Sequence, residues 1–271
     1  MRAAWARSRA AFASFAWACR PSGSRPYSAP SARPDGMGAR LARRFAERTI
    51  DRSLRDGLRR VVAAGDAADP APGRPLVLLA NHHVYPDSFV LWHLITRVWG
   101  RPMAVWMEAW DRAPLFGPVG ALPFPDDDPR RRVRTIRETA RRMTADPDTA
   151  LYLYPEGAMR VPEDGLGEFQ ADLPRLARLL PESVAWVPVG VRTSWWGEAR
   201  PTAVLAVGPA RDSPADARRP LADAMGRAEA ARPGDLGTGR ARVLLEGARG
   251  ADERWDLSRL APLFERWTFG P

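Results

Sequence analysis

The chain has no lysine, a single cysteine and only three histidines among its 271 residues. One cysteine, Cys19, cannot form an internal disulfide, which fits a reducing compartment. Every apolar run is shorter than the stretch of about 18 residues that indicates a membrane-spanning helix, so a spanning segment is not expected. All 41 cationic side chains are arginine, and with abundant alanine, proline and glycine this bias is typical of a GC-rich genome.

The overall composition, with 45% hydrophobic and 27% charged residues, is ordinary for a soluble globular domain. The net charge of +9 is distributed unevenly along the chain. Residues 1–36 hold six arginines and one acidic residue, and residues 37–64 hold eight arginines and three acidic residues. The remainder is close to neutral. A nucleic-acid partner would need a basic face on the folded body, so none is expected.

The amino-terminal residues divide into two segments. Residues 1–36 show no sustained hydrophobic period and no convincing signal-peptide cleavage site, so we expect disorder or an upstream start with Met37 as the true initiator. Residues 37–64 predict a basic amphipathic helix, with Leu41, Phe45, Leu54 and Leu58 on one face. Such a helix suits an anionic membrane surface, or it packs its apolar face on the domain and leaves arginine in water.

From residue 70 to residue 271, strand-like and helix-like patterns alternate. This alternation predicts an α/β domain with a mixed, mostly parallel sheet flanked by helices. The expected strands are 76–80, 102–107, 150–154, 184–191 and 204–207, and the expected helices are 89–99, 130–144, 173–180, 216–231 and 255–267. Residues 65–75 are expected to be a linker and 233–250 a loop rich in glycine and arginine.

The segment Leu76 to Ser88, LVLLANHHVYPDS, predicts a strand, a short loop and the start of a helix. The loop lies at the carboxyl end of a buried strand, where open α/β sheets bind ligands. Neutral imidazole, with an ordinary pKa of about 6.5, suits the removal of a proton from an alcohol, so His82 is a candidate general base. Asp87, in the first turn of the helix, could fix its tautomer and stabilise the imidazolium.

Other roles for these residues stay open on the spacing alone. Asp87 could serve only as a helix cap, and His82 could be structural. A metal site built from His82, His83 and Asp87 is disfavoured, because adjacent side chains diverge on an extended segment and no second ligand cluster is visible. No serine or cysteine nucleophile adjoins the pair in sequence, which favours direct attack by the hydroxyl of an acceptor over an acyl-enzyme.

Four blocks in this order carry a resemblance to a known family. Asn81-His82 with Asp87 (NHxxxxD) resembles the first block of the PlsC-like glycerolipid and lysophospholipid acyltransferases. Tyr154-Pro155-Glu156-Gly157 resembles the third, which usually has phenylalanine first. The segments 120–124, which begins with Gly120, and 187–189, which contains Pro188, resemble the second and fourth blocks.

The resemblance implies an O-acyltransferase that moves a fatty acyl group from acyl-CoA or acyl-carrier protein to a lipid hydroxyl, with no metal or other cofactor. His82 would be the base and Asp87 its orienting partner. The acceptor would be lysophosphatidate or a related lysophospholipid, which places the protein in phospholipid biosynthesis, in the cytoplasm and peripheral at the inner face of the cell membrane. The substrate-binding residues implied are Asn81, Gly120, Glu156, Gly157, Arg160 and Pro188.

Two departures from the family pattern concern the acceptor. The arginine that usually ends the second block is replaced by Asp126, with Arg130 the next arginine. In the third block, Met159 stands where arginine is common, and Arg160 follows it. The alternatives are therefore an acyltransferase for a non-phosphate acceptor, such as a carotenoid glycoside, and a catalytically inactive membrane-binding relative.

Overall fold

A mixed eight-stranded sheet forms the centre of the computed structural model, which describes residues 36–254 and 258–270. The predictions for the segment before Gly36 and for the first turn of the last helix lie outside these ranges. The strands are β1 Arg60–Ala64, β2 Leu76–Ala80, β3 Met103–Met107, β4 Ala121–Pro123, β5 Ala150–Leu153, β6 Ala185–Ser194, β7 Thr202–Val207 and β8 Ala241–Glu246.

The order of the strands across the sheet is β4-β3-β5-β2-β6-β7-β1-β8. Five neighbouring pairs are parallel, and the pairs β6–β7 and β1–β8 are antiparallel. The predicted α/β class with a mostly parallel sheet is therefore confirmed. Strand β2, which precedes the His82 loop, is buried along its whole length between β5 and β6 because it is a run of leucine, valine and alanine.

Helices cover both faces of the sheet. They are α1 Met37–Gly57, α2 Asp87–His93, α3 Pro129–Ala145, α4 Leu173–Ala177, α5 Arg218–Ala230, α6 Gly234–Gly237, α7 Ala251–Arg254 and α8 Ala261–Phe269. Leu94–Val98 continues α2 as a π-helical turn. Helix α3 begins as its sequence predicts, with Pro129 in the first turn and the Asp128 carboxylate accepting a hydrogen bond of 2.9 Å from the backbone of Arg131.

The apolar stripes of the helices pack in three clusters of the described residues, of which the two largest lie on opposite faces of the sheet. On one face, Ile50 and Leu54 of α1 pack with Leu91 of α2 against β2 and β6. On the other face, Met143 of α3 packs with the side chains of β2 and β5 that point the opposite way. Helix α5 approaches β6 so closely that a Cβ at Gly190 would collide with the helix backbone. None of the described helices is both long and apolar enough to cross a membrane.

The prediction of one helix over residues 37–64 is wrong beyond Gly57. Residues 60–64 form β1, which pairs in parallel with β7 and antiparallel with β8. Val61 continued the helical spacing of Leu54 and Leu58, so the pattern did not reveal the change from helix to strand. All three side chains are buried, which makes α1 a packed part of the domain rather than a separate segment.

The prediction of a loop over residues 233–250 is also wrong at its centre, where β8 forms. Ala241 and Leu245 are buried while Arg242 and Glu246 are exposed, as is usual for a strand at the edge of a sheet. The glycines and arginines on either side of this short strand are typical of a loop, so the sequence pattern did not predict the strand.

Candidate active site

The candidate site lies at one rim of the sheet, where β2 and β5 end side by side. These strands are parallel, with Leu79 beside Leu153, so the residues immediately after them emerge at the same edge. The loop after β2 carries His82 and leads into Asp87, and the loop after β5 carries Tyr154 to Gly157. The sheet therefore brings the first and third sequence blocks together.

His82 and Asp87 are in contact. His82 Nδ1 lies 3.3 Å from Asp87 Oδ2, and the same oxygen accepts hydrogen bonds from the backbone N–H groups of His83 and Val84, at 2.7 and 2.9 Å. Asp87 is only 1% exposed. With its Nδ1–H donated to Asp87, a neutral His82 keeps the lone pair of Nε2 for a substrate proton. Asp87 thus fixes both the loop and the imidazole.

The ring of Tyr154 covers one face of His82. The two rings are stacked, with centroids 4.0 Å apart and an interplanar angle of 9°. The Tyr154 hydroxyl lies 2.8 Å from the hydroxyl of Ser88, the second residue of α2. Burial raises the pKa of Tyr154 well above its ordinary value, so this phenol stays neutral. The sequence blocks include Tyr154 but gave it no role.

Asn81 lies beneath the site. It is fully buried; its amide donates to the carbonyl of Val191 at 2.8 Å and accepts from the N–H of Val191 at 2.7 Å. Its Nδ2 also lies 3.2 Å from Nδ1 of His83. The side chain therefore ties the loop after β2 to β6, and the substrate-binding role implied by the family pattern stays a prediction.

Glu156 points into the loop after β5. Its Oε2 accepts a 2.7 Å hydrogen bond from Gly167, while Oε1 is buried with no protein partner among the described residues. Gly157 has a φ of 67°, and a Cβ there would meet the side-chain amide of Gln170. That amide donates to the carbonyl of Glu156 at 3.0 Å. The turn therefore needs glycine, and Glu156 is held at the rim.

Arg160 connects the two loops of the site. Its backbone N–H donates to the carbonyl of His82 at 2.9 Å. Its guanidinium lies 3.6 Å from Glu156 and 3.8 Å from Asp164, and 38% of the side chain is exposed. Part of the guanidinium is thus available to a ligand at the rim.

Gly120 and Pro188 do not lie at the rim, contrary to the substrate-binding role that the family pattern implies. Gly120 precedes β4 with a φ of 107°, and a Cβ there would collide with the carbonyl of Met103. Pro188 is buried in β6 beside Leu79. Both residues serve close packing within the sheet.

The second block nevertheless leads to the same rim. Strand β4 ends at Pro123, which is level with the end of β3, and the chain then turns into α3. Three strand spacings separate β4 from β2, or about 14 Å. Arg130 is exposed in the first turn of α3, and Asp126 lies 3.8 Å from Arg132.

His83 is a site neighbour to which the sequence gave no catalytic role. It is 7% exposed, and its Nε2 is buried without a protein partner among the described residues. Burial lowers the pKa of His83, opposed by the negative charges of Asp87 and Glu156. Within the described ranges, no group of three or more histidine, cysteine, aspartate or glutamate side chains could hold a metal ion.

Comparison with known proteins agrees with the four blocks. The sequence pattern of the family described as Acyltransferase matches residues 58–192, which include His82, Asp87 and Glu156. A solved structure that resembles the chain is the 1-acyl-sn-glycerophosphate (LPA) acyltransferase PlsC from Thermotoga maritima. It is 16% identical, with a TM-score of 0.43 over 70% of this chain and 78% of that chain. No curated protein matches the chain. Residues 58–192, which hold the candidate site, therefore form an acyltransferase family domain.

Proposed function

We propose that the protein transfers a fatty acyl group from a thioester donor, acyl-CoA or acyl-carrier protein, to the hydroxyl of lysophosphatidate or a related lysophospholipid. Membership of the acyltransferase family supports the class of reaction. The observation that carries the proposal is the contact between His82 Nδ1 and the buried carboxylate of Asp87, at the rim where β2 and β5 end.

The proposed reaction is a direct transfer. The acceptor hydroxyl gives its proton to Nε2 of His82 as its oxygen attacks the thioester carbonyl. Asp87 stabilises the imidazolium, because its carboxylate is already fixed by two backbone N–H groups and needs no rearrangement. Collapse of the tetrahedral intermediate breaks the carbon–sulfur bond, and the departing thiolate takes the proton from His82. The products are an ester and a free thiol.

A phosphate on the acceptor would need a guanidinium at the rim. Arg160 is partly exposed beside Glu156, and Arg130 is exposed in the first turn of α3. A planar guanidinium can donate two parallel hydrogen bonds to a phosphate. These two arginines support a phosphate-bearing acceptor even though both are displaced from the usual positions of the family.

The test of the proposal is thiol release from acyl-CoA or acyl-carrier protein with a panel of phosphate and neutral lipid alcohols. His82→Ala should lose roughly 100-fold or more in kcat, because the base is gone. Arg160→Ala should lose roughly 10- to 150-fold in kcat/KM on phosphate acceptors only. Arg52→Ala, an exposed arginine of α1 paired with Asp56, is the matched control. Wild-type turnover by His82→Ala would refute the mechanism, and an equal effect of Arg160→Ala on neutral acceptors would refute the phosphate contact.

We also propose that the protein binds the anionic, cytoplasmic face of the cell membrane through the first half of α1. The second half cannot serve, because Ile50 and Leu54 are buried in the core. Met37, Leu41 and Phe45 form an exposed apolar row, with exposed fractions of 73%, 57% and 64%. Arg40, Arg44 and Arg48 form an exposed row beside it. Apolar burial and attraction to anionic lipids would act together on this surface.

Flotation with vesicles that contain anionic lipid tests the membrane contact. Replacing Met37, Leu41 and Phe45 by serine should abolish flotation, and Arg44→Gln should weaken it by about 1 kcal/mol. Arg52→Gln serves as the control, since its charge is already paired with Asp56. Flotation of the triple variant at the wild-type level, or binding that does not weaken with salt, would show that α1 is not the contact.

A further inference from the structure

The imidazole of His82 is held from its edge and from its face. At the edge, Nδ1 lies 3.3 Å from Asp87. A single contact of this length leaves the plane of the ring free to tilt. At the face, Tyr154 lies parallel to the imidazole at 4.0 Å, which fixes that plane. Both constraints act on the one side chain that the proposed reaction needs to aim.

Tyr154 is itself held in place. Its hydroxyl is 2.8 Å from Ser88 Oγ, and Ser88 directly follows Asp87 in the first turn of α2. Tyr152 packs edge-on against the Tyr154 ring, with centroids 5.8 Å apart and an interplanar angle of 67°. The tyrosine hydroxyl is absent from the phenylalanine that usually begins this block, and here it has a specific partner.

We infer that Ser88 and Tyr154 form a positioning pair, in which the Ser88–Tyr154 hydrogen bond sets the ring of Tyr154 and that ring sets the plane of His82 and attracts the imidazolium formed in the reaction. The inference rests on the proposed general-base role of His82. Two consecutive residues of one helical turn would then orient the imidazole of His82. Asp87 would contact the edge of the imidazole, and Ser88 would act on its face through Tyr154.

The chemistry of the two rings supports this role. The face of a tyrosine ring carries partial negative charge, so it attracts a cation stacked upon it. An imidazolium formed during the reaction is such a cation. Burial raises the pKa of Tyr154, and its hydroxyl is already engaged by Ser88, so Tyr154 acts through its ring and not as an acid or base.

A series of variants separates the ring from the hydroxyl. Tyr154→Phe and Ser88→Ala should each lower kcat/KM by about 3- to 10-fold, the usual effect of one hydrogen bond. The double variant should be no slower than the slower single variant, because both changes break the same bond. Additive losses in the double variant would overturn the pairing of Ser88 with Tyr154.

Tyr154→Leu removes the ring itself. Without the stacked face, kcat should fall by about 2- to 30-fold with little change in KM, because the imidazolium formed in the reaction loses the attraction of the ring. Phe89→Leu is the control, since this aromatic residue of α2 contacts Tyr85 and Phe116 instead of His82. A kcat for Tyr154→Leu equal to that of Phe89→Leu would overturn the role of the ring.

A readout without turnover keeps this inference separate from the proposed function. The ring protons of His82 can be followed by nuclear magnetic resonance at constant pH, with His82→Ala to assign them. Because a stacked aromatic ring shields protons that lie over its face, these signals should move downfield in Tyr154→Leu and hold in Phe89→Leu, even if the natural acceptor is not in the assay. Unmoved His82 signals in Tyr154→Leu overturn the inference, while moved signals with no acyl transfer by the wild type would refute only the proposed reaction.

Discussion

Asp87 stabilises the loop after β2 and contacts His82, and two substitutions should separate these two effects. Its Oδ2 accepts from two backbone N–H groups of the loop and also contacts His82. Asp87→Ala leaves both N–H groups without an acceptor, at about 1 to 3 kcal/mol each, so we expect unfolding to become easier by about 2 to 6 kcal/mol. Asp87→Asn keeps an oxygen in that place and loses only the charge, at about 1 to 2 kcal/mol.

The catalytic effect of Asp87→Asn is set by the distance to His82. Opposite unit charges 3.3 Å apart attract by about 5 kcal/mol at an effective dielectric constant of about 20. This attraction exists only while the imidazole is charged, so its loss falls on the transition state. Allowing for the solvent that enters, we expect kcat to fall by roughly 100- to 1,000-fold, or about 2.7 to 4.1 kcal/mol.

The assay combines thiol release with urea denaturation of the same preparations. Asp87→Asn should be well folded and slow, whereas Asp87→Ala should be slow and much less stable. Adding His82→Ala to Asp87→Asn should cost little beyond His82→Ala alone, because the carboxylate acts through the imidazole. A kcat for Asp87→Asn within about threefold of the wild type would refute the electrostatic reasoning.

Three further predictions concern stability. Burial lowers the pKa of His93 from its ordinary 6.5, so the stability that the neutral imidazole contributes is complete above that pH and is lost as the pH falls below it. His93→Gln should therefore flatten the dependence of unfolding free energy on pH below 6.5, and an unchanged slope would contradict this. Asn81→Ala should destabilise the protein by about 2 to 5 kcal/mol in urea, since it leaves both backbone groups of Val191 unpaired. Gly190→Ala should lower the melting temperature by several degrees, about 1 to 3 kcal/mol, because its methyl group collides with α5, whereas Gly226→Ala, with open space around its Cβ, should not.

The grouping of the candidate site residues could be predicted because their loops follow strongly apolar strands. The runs before Asn81 and Tyr154 fix where β2 and β5 end, and two parallel neighbours bring their carboxyl-terminal loops to one rim. The sequence alone therefore placed His82, Asp87 and Glu156 together. It could not show that Asn81 is a support, because its partner Val191 is 110 positions away along the chain.

The wrong predictions share a physical cause. Gly57 ends α1, but Val61 continues the helical spacing beyond it, and pairing with β7 and β8 makes Val61 and Val62 part of β1. Gly120 lies against the backbone of Met103 and Pro188 is paired with Leu79 inside the sheet, and no local pattern records either placement. Long-range contacts decided each of these cases.

The position of β1 in the sheet determines which truncations of this protein can fold. Residues 58–192 match the family, but β1 within them lies between β7 and β8, which come later in the chain. A fragment that stopped at residue 192 would leave both edges of β1 open and the apolar side chains of Val61 and Val62 exposed to water. We expect this fragment to aggregate. During synthesis on the ribosome, the chain can complete its sheet only after Glu246, the last residue of β8, has emerged. We therefore expect residues 36–246 to be the shortest span that can be expressed in folded form.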